Sequence, residues 1–388
     1  MTPIFDTKFP RKQTTIFSVM SQLAAEHQAV NLGQGFPDFE APAFLKEALV
    51  QAMREGRNQY APLHGIALLR EQIAKKIAAL YGADVDSEKE ITVTSGATEA
   101  IFDAVQAVAR AGDEVIVLDP CYDCYEPAIE TAGAAAVHVP LAEPDFRVDW
   151  QRVKDAITER TRLLIINTPH NPTGAVLSRA DLDMLADVLR GTKVLLISDE
   201  VYEHIVFEGA EHQSVLRHPE LRERAFVVSS FGKTYHCTGW KVGYCIAPAA
   251  LTADFRQVHQ YVTFCTFNPA QWALAKMMEF HPEHHLELPR FYEEKRDRFA
   301  QLLADTGFSL PKVQGAYFQL ADYSAISDMP DVEFARWLTI EKGVTGIPLS
   351  PFYRSPPAGQ RLIRFCFAKA DETQVAAARR LHNLLKPE

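Results

Sequence analysis

Short runs of apolar residues alternate with longer amphipathic stretches between about residue 90 and residue 248. Several runs are apolar at every position, which is typical of strands that helices cover on both faces. Helical patterns such as Ala97–Arg110 and Arg179–Arg190 separate most of them and are long enough for right-handed crossovers. Seven strands are predicted: Ile91–Thr94, Val115–Leu118, Ala136–Val139, Leu163–Ile166, Val194–Ile197, Phe226–Val228 and Val242–Ile246.

This pattern predicts an α/β fold with an open, mainly parallel sheet of seven strands. A segment rich in Gly and Thr joins the last two strands where a helix would otherwise stand, so we expect them to pair antiparallel at an edge. In such sheets, ligands bind beyond the carboxyl ends of the strands.

The pattern changes after about residue 250. Long helical stretches are predicted over Ala253–Met278 and Leu288–Thr306, and strand patterns follow in Gly315–Leu320 and Arg361–Phe367. This part of the chain therefore predicts a second, smaller α+β domain.

The length also favours two domains, because 388 residues exceed the size at which single cores usually stop growing. We assign residues 37–280 to the large α/β domain, and residues 1–36 together with 281–388 to the small domain. Neither a low-complexity linker nor an internal repeat marks the division.

Composition restricts the partners and the location of the protein. A net charge of −10 argues against a nucleic-acid surface. The N-terminus shows no signal-peptide pattern, and no apolar run is long enough to predict a membrane span. Six cysteines in a chain of this length do not predict a disulfide framework, so we expect a cytoplasmic protein.

Reactive or polar residues follow the predicted strands in turn. The Thr94–Thr98 turn can bind an anion at the start of a helix or simply cap that helix. Asp199 closes an apolar run and either meets a cation or caps a helix. Asn171, between two prolines, is a rigidly held amide donor or part of a generic turn. Lys233, after the sixth strand, can form a Schiff base with an aldehyde cofactor such as pyridoxal 5′-phosphate.

Together these segments resemble the class I/II aminotransferases, the fold-type-I family that uses pyridoxal phosphate. Within the family, they are most similar to the methionine aminotransferases and the kynurenine/glutamine-type transaminases. The resemblance extends through Asn31–Phe39, Asn58–Pro62, Asn171–Gly174, Ser198–Tyr202, Ser230–Thr234, Gly239–Gly243 and Arg364–Ala368.

The resemblance implies roles for the residues around the cofactor ring. Lys233 would bind the cofactor covalently and move the substrate proton. Asp199 would keep the pyridine nitrogen protonated, and Asn171 and Tyr202 would donate to the phenolate oxygen. Tyr122 would stack on the ring, although an aromatic residue in a loop is more often simply packed.

Further residues would bind the phosphate: Gly96, Ala97, Thr98, Ser230 and Lys241 of one subunit, with Tyr60 of a partner subunit. The family often has arginine where this chain has Lys241, and the closer subgroup has lysine. A homodimer with shared active sites follows from the role of Tyr60, and two-fold dimers are the commonest oligomers.

The resemblance also assigns the substrate site. Arg364 would bind the α-carboxylate of an amino acid or a 2-oxo acid in a bidentate grip, with help from Asn171 and Gly35. The candidate pocket residues are Phe17, Tyr60, His64, Tyr122, Phe264, Phe267 and Tyr317, any of which can instead be a core residue only. With no clear distal arginine, these favour methionine first, then aromatic amino acids, histidine or glutamine, in a ping-pong transamination.

Other functions remain as alternatives or are excluded. A cysteine-S-conjugate β-lyase or a kynurenine–oxoglutarate transaminase would use the same Lys233 and Asp199. A nicotinamide dehydrogenase is disfavoured because Gly33–Asp38 lacks the third glycine of the fingerprint. A hydrolase lacks its nucleophile elbow, and a proline interrupts the one zinc-like segment, His281–His285, so no metal is predicted.

Overall fold

A computed structural model of the chain describes residues 14–382 and residue 384. The strands are β1 (Val30–Asn31), β2 (Ile91–Thr94), β3 (Glu114–Asp119), β4 (Ala135–Pro140), β5 (Thr161–Asn167), β6 (Leu195–Asp199), β7 (Ala225–Ser230), β8 (Gly243–Ile246), β9 (Phe318–Asp322), β10 (Val344–Thr345), β11 (Ile347–Pro348) and β12 (Leu362–Cys366).

The helices are α1 (Ile16–Glu26), α2 (Ala43–Arg54), α3 (Ala67–Tyr81), α4 (Ala97–Val108), α5 (Tyr125–Thr131), α6 (Trp150–Ala156), α7 (Arg179–Leu189), α8 (Pro219–Arg222), α9 (Phe231–Thr234), α10 (Ala249–Val262), α11 (Asn268–Phe280), α12 (His284–Leu303), α13 (Asp331–Glu341) and α14 (Asp371–Leu381). Short 3₁₀ turns occur at Val215–Arg217, Thr238–Trp240 and Ser350–Phe352. Within the described residues, no helix combines the length and the apolar character needed to cross a bilayer.

The seven predicted strands form one sheet in the order β2-β8-β7-β6-β5-β3-β4. All neighbours are parallel except β8, which runs antiparallel to both β7 and β2. The prediction of a mainly parallel sheet with an antiparallel last pair is therefore confirmed. Apolar side chains cover both faces, and one core cluster under α4 and α5 includes Ile101, Val117, Ile165 and Phe226.

The expectation that β8 lies at an edge is wrong, because β2 lies outside it. Gly243 makes this arrangement possible at the start of β8. A Cβ atom there would lie 2.6 Å from the Ser229 carbonyl oxygen and 3.0 Å from the Ala97 nitrogen. The absent side chain allows β8 to approach the β2–α4 turn closely.

The single helix predicted over Ala253–Met278 is also wrong, because two helices, α10 and α11, occupy this region. Phe264, between them, has φ +69°, which an α-helix cannot accommodate. Pro269 lies in the first turn of α11, where its missing N–H costs nothing. The break turns the chain near the residues that precede α3.

The remaining strands lie outside this sheet. β12 pairs antiparallel with β11 and β9, and β1 pairs parallel with β10. The β1–β10 pairing ties the N-terminal segment to the C-terminal part, as our proposed division at residues 36/37 and 280/281 requires. That division into domains stays a proposal.

Candidate active site

A cavity of about 420 Å³ opens where the carboxyl ends of the large sheet face β12 and the segment after β1. Thirteen of the site residues predicted from the sequence line it: Phe17, Gly35, Gly96, Ala97, Thr98, Tyr122, Asn171, Asp199, Tyr202, Ser230, Lys233, Lys241 and Arg364. Strand ends place most of them there, as expected for an open α/β sheet.

Lys233 lies in α9, directly after β7. Its Nζ donates to the Gly35 carbonyl oxygen at 3.2 Å and to the Tyr317 hydroxyl at 3.0 Å. Burial lowers the pKa of Lys233 to about 8, and the charges of Lys241 and Arg364 act in the same direction. The neutral amine, which can act as a nucleophile or a base, is therefore accessible near neutral pH.

Asp199 closes β6 and is buried. Its Oδ2 accepts from the Tyr125 hydroxyl at 2.7 Å, and its Oδ1 accepts from the Val201 N–H at 3.3 Å. Burial raises the pKa of Asp199 to about 6, although both hydrogen bonds favour the charged form. A buried carboxylate held in this way is suited to pair with a cationic group of a ligand in the cavity.

Arg364, on β12, is only 1% exposed. Nη1 donates to Asn171 Oδ1 at 2.7 Å, Nη2 donates to the Gly33 carbonyl oxygen at 2.8 Å, and the guanidinium lies 4.0 Å from the Phe318 ring centroid. Among the described residues its Nε has no hydrogen-bond partner, and no carboxylate forms an ion pair with it. An unpaired buried cation beside a cavity is suited to an anionic ligand.

A second anion site lies at the start of α4. Gly96, with φ +85°, is the N-cap and supplies no side chain, so backbone N–H groups of the first turn point outward. Lys241 Nζ lies 3.5 Å from Thr98 Oγ1, and Ser230 ends β7 nearby. These groups form a cradle suited to a phosphate.

Two tyrosines complete the walls. The Tyr202 ring lies 5.5 Å from Lys233 Nζ and packs edge-on against Tyr317. Burial raises the pKa of the Tyr202 hydroxyl, so it stays protonated and can donate. The Tyr122 ring lies 6.0 Å from that of Tyr125 and lines the cavity.

Some sequence candidates do not reach this cavity within one chain. Tyr60 is 82% exposed and packs edge-on against Phe264, with ring centroids 5.2 Å apart. Phe267 is also exposed, and His64 pairs with Glu88 at 3.1 Å. As pocket residues of their own subunit, Tyr60, Phe264, Phe267 and His64 are therefore not supported.

Sequence reasoning missed several residues of the site. Tyr125 bonds Asp199, and Asn167 donates from Nδ2 to the Asp199 carbonyl oxygen at 2.8 Å. Asp123 and Phe318 line the cavity. Tyr125 and Asp123 belong to the same strand-end segment as Tyr122, and that position was the signal that could have found them.

The site and the fold together define the class of protein. The family model for aminotransferase class I and II matches residues 27–381, so the chain belongs to that family and is an aminotransferase. It has the fold-type-I architecture of solved relatives.

Two relatives and two solved structures illustrate how similar the family members are. A methionine aminotransferase of Escherichia coli (strain K12) is 53% identical over 97% of this chain and 98% of its own length. A solved E. coli structure with methionine aminotransferase function has a TM-score of 0.95 and covers 98% of this chain and 99% of that one. The solved structure of N-succinyldiaminopimelate aminotransferase from Mycobacterium tuberculosis also has a TM-score of 0.95. It is 40% identical to this chain, and the match covers 98% of this chain and 100% of that one. Human kynurenine–oxoglutarate transaminase 3 is 37% identical over 94% of this chain and 87% of its own length.

Proposed function

We propose that this aminotransferase uses pyridoxal 5′-phosphate to move the amino group of methionine to a 2-oxo acid by a ping-pong mechanism. Aromatic amino acids, histidine and glutamine would be further donors. One observation carries the proposal: a single cavity brings together a buried lysine, a buried carboxylate, an anion cradle and a buried arginine that has no carboxylate partner among residues 14–382 and 384.

The residues present fit the cofactor. The cradle would bind the phosphate of the cofactor, and Asp199 would pair with the protonated, cationic ring nitrogen. Asn171 and Tyr202 would face the ring oxygen. Tyr122 would lie against the ring. When bound at Lys233, the group supplies an aldehyde carbon that condenses with amines and a ring that accepts the electron pair left at the substrate Cα.

The chain's own residues position the substrate and move its proton. Arg364 would bind the α-carboxylate through two parallel N–H donors, which sets the direction of the Cα–H bond. Once the substrate amine has replaced Lys233 on the cofactor carbon, the freed Nζ would accept the Cα proton as a general base and, as a general acid, donate it to that cofactor carbon. Such transfer contributes roughly 10²–10⁴-fold to a rate.

The charges that line the cavity favour a substrate whose side chain is neutral or carries hydrogen-bond donors. Three cations line it among the described residues: Lys233, Lys241 and Arg364. With these assigned to proton transfer, phosphate and α-carboxylate, none remains for a second carboxylate. Asp123 lines the same cavity and would repel one. The name of the E. coli relative makes methionine the first choice.

Two further activities would use the same machinery. The human relative favours kynurenine as a donor with oxoglutarate as the acceptor. A cysteine-S-conjugate β-lyase would share Lys233 and Asp199 and would differ only in its products. Overlap is expected because apolar pockets separate near neighbours by only ~1–3 kcal/mol.

A homodimer is part of the proposal. Tyr60, Tyr261 and Phe264 are exposed large side chains near one another in the fold, with Tyr60 and Phe264 in ring contact. Pairing through this surface would cover it and bring Tyr60 to the partner's phosphate cradle. The acidic net charge and six free thiols favour a cytoplasmic enzyme without a nucleic-acid or membrane partner.

The test is the absorbance spectrum of the protein loaded with pyridoxal phosphate, before and after L-methionine is added without an acceptor. We expect a visible band that moves to the near ultraviolet, with one 2-oxo acid released per subunit. Lys233→Ala should show neither change. Continuous release of pyruvate, ammonia and thiol from a cysteine conjugate would instead favour the lyase, and a protein that takes up no chromophore would refute the proposal.

A further inference from the structure

A buried charged cluster lies behind the anion cradle, and the mechanism above does not use it. It consists of His259 on α10 with Glu99 and Asp103 on α4. His259 and Asp103 are fully buried, and Glu99 is 8% exposed. His259 Nδ1 lies 2.7 Å from Glu99 Oε1 and 3.5 Å from Asp103 Oδ2.

His259 is a cation in this cluster. Burial acts to lower its pKa, but the interactions with Asp103 and Glu99 outweigh it and raise the pKa to about 9. A protonated imidazole has two N–H donors. Nδ1 serves Glu99, and Nε2 donates to the Leu63 carbonyl oxygen at 2.9 Å. One side chain therefore joins two segments that are distant in sequence.

The first segment is the phosphate cradle. The second carboxylate oxygen of Glu99, Oε2, accepts a hydrogen bond from the Ser95 N–H. Ser95 directly precedes Gly96, the N-cap of α4. Fixing Glu99 therefore fixes the turn whose N–H groups face the cavity.

The second segment is the loop that carries Tyr60. Leu63 follows Tyr60 by three residues, and the loop is held to the sheet where the Val93 N–H donates to the His64 carbonyl oxygen at 3.1 Å. The same helix, α10, leads into Phe264, which packs against Tyr60. His259 is thus placed to hold this loop through its hydrogen bond to the Leu63 carbonyl oxygen.

We infer that His259 is a positioning residue for the cofactor phosphate. Through Glu99 it would orient the Ser95–Ala97 turn of its own site, and through Leu63 it would orient the loop that presents Tyr60 to the neighbouring site. The inference rests on the proposed function, because it requires that the cradle binds a phosphate. His259 itself touches neither cofactor nor substrate.

Two near-isosteric variants separate the two links. In His259→Gln, the amide nitrogen can occupy the place of Nε2 and still donate to Leu63, while the donor to Glu99 is lost. In His259→Asn, the amide nitrogen can occupy the place of Nδ1 and donate to Glu99, while the bond to Leu63 is lost. Both variants remove the same charge, so each is the other's control.

The readout is the dissociation constant of the apo-protein for pyridoxal phosphate and for pyridoxal, which lacks the phosphate. In His259→Gln we expect binding of pyridoxal phosphate to weaken by about 10- to 100-fold, the range typical when the hydrogen-bond partner that orients a metal ligand is removed. Binding of pyridoxal should change by less than about threefold, because the aldehyde and ring contacts remain.

His259→Asn should weaken binding of pyridoxal phosphate less, and only through Tyr60. Its effect should therefore vanish in a Tyr60→Phe background, whereas the effect of His259→Gln should persist there. This non-additivity is what a shared path predicts.

The outcomes separate the two proposals. If the wild-type protein binds neither compound, the proposed function fails. If it prefers the phosphorylated compound and both variants keep that preference, or lose both compounds equally, the positioning role is overturned. Should His259→Gln not fold, Glu99→Ala cuts the same link from its other end while Asp103 still pairs with His259, and it should show the same loss of phosphate preference.

Discussion

At the scale of single residues, Lys233 shows how burial prepares a side chain for chemistry. Within the part of the chain that the structure describes, its ammonium group donates to the Gly35 carbonyl oxygen and the Tyr317 hydroxyl, both neutral acceptors. Neutral partners compensate a buried charge less well than a carboxylate does. The free base is correspondingly favoured, which is the form that attacks an aldehyde.

Uptake of pyridoxal phosphate by the apo-protein should therefore follow the titration of Lys233. The neutral amine reacts, so the rate of covalent uptake should rise about tenfold per pH unit below the pKa of about 8 and level off above it. Stopped-flow absorbance across this range measures it. Lys233→Ala should form no covalent band at any pH, and a midpoint near the ordinary lysine value of 10.5 would contradict the assignment.

Asp123 is a second residue whose effect is local, because it lines the cavity close enough to Arg364 for their charges to interact. Asp123→Asn should raise kcat/KM for oxoglutarate as the acceptor about fivefold, since removing one repulsion near the surface is worth ~1 kcal/mol. Values for the 2-oxo acid of methionine should stay within about twofold. Equal gains with both acceptors would rule out charge selection.

At the scale of elements, the end of β6 depends on the start of α5. Asp199 closes the strand, and Tyr125 opens the helix that packs against the neighbouring part of the sheet. The hydroxyl of Tyr125 helps to keep the buried carboxylate charged, because a hydrogen bond to the charged form favours it. The packing of a helix on a strand thus supports the charge of the site.

Tyr125→Phe should retain the packing and remove this bond. The pKa of Asp199 should then rise further above about 6. As the pH is lowered, the variant should therefore lose activity at a higher pH than the wild-type protein does. We expect kcat/KM at neutral pH to drop by about 10-fold or more, because hydrogen bonds to charged groups contribute roughly 1.5–3 kcal/mol. Tyr235→Phe, at a buried tyrosine that does not line the cavity, is the control. If the dependence of kcat/KM on pH is unchanged on the acidic side of neutrality, the role of Tyr125 is contradicted.

At the scale of the whole molecule, exposed apolar side chains gather where the loop before α3 meets the break between α10 and α11. Tyr60 and Tyr261 are both 82% exposed, and Val262, Phe264 and Phe267 are exposed beside them. Large apolar groups in one region indicate an interaction surface. The proposed dimer would cover this surface and complete both active sites.

Phe264→Asp should convert the dimer to monomers. Aspartate tolerates the positive φ of this position better than most residues, so the fold should survive, while a charge buried at an interface is costly. Sedimentation equilibrium measures the oligomeric state. Dissociation should also weaken the retention of pyridoxal phosphate, because Tyr60 of one subunit then no longer reaches the site of the other. Leu286→Asp, at an exposed apolar residue of α12, should change neither. A dimeric Phe264→Asp protein would contradict the proposed interface.

Much of the fold could be predicted because the signals are local. All seven strands of the sheet lie within two residues of their predicted ends, since buried strands require unbroken apolar runs. The same holds for the start of α4 and of α7. The position of β8 and the break before α11 could not be predicted, because they depend on Gly243 meeting the β2–α4 turn and on the turn at Phe264.

The sequence by itself determined the class of the protein and the residue types at the strand ends, because strand pattern and motif order are properties of neighbouring positions. Only the tertiary structure decided which polar atoms meet. Tyr125 reaches Asp199 across 74 positions, Arg364 reaches Asn171 across 193, and His259 reaches Leu63 across 196. Such pairs are set by how helices and strands pack, since a hydrogen bond requires contact in space and leaves no periodic trace along the chain.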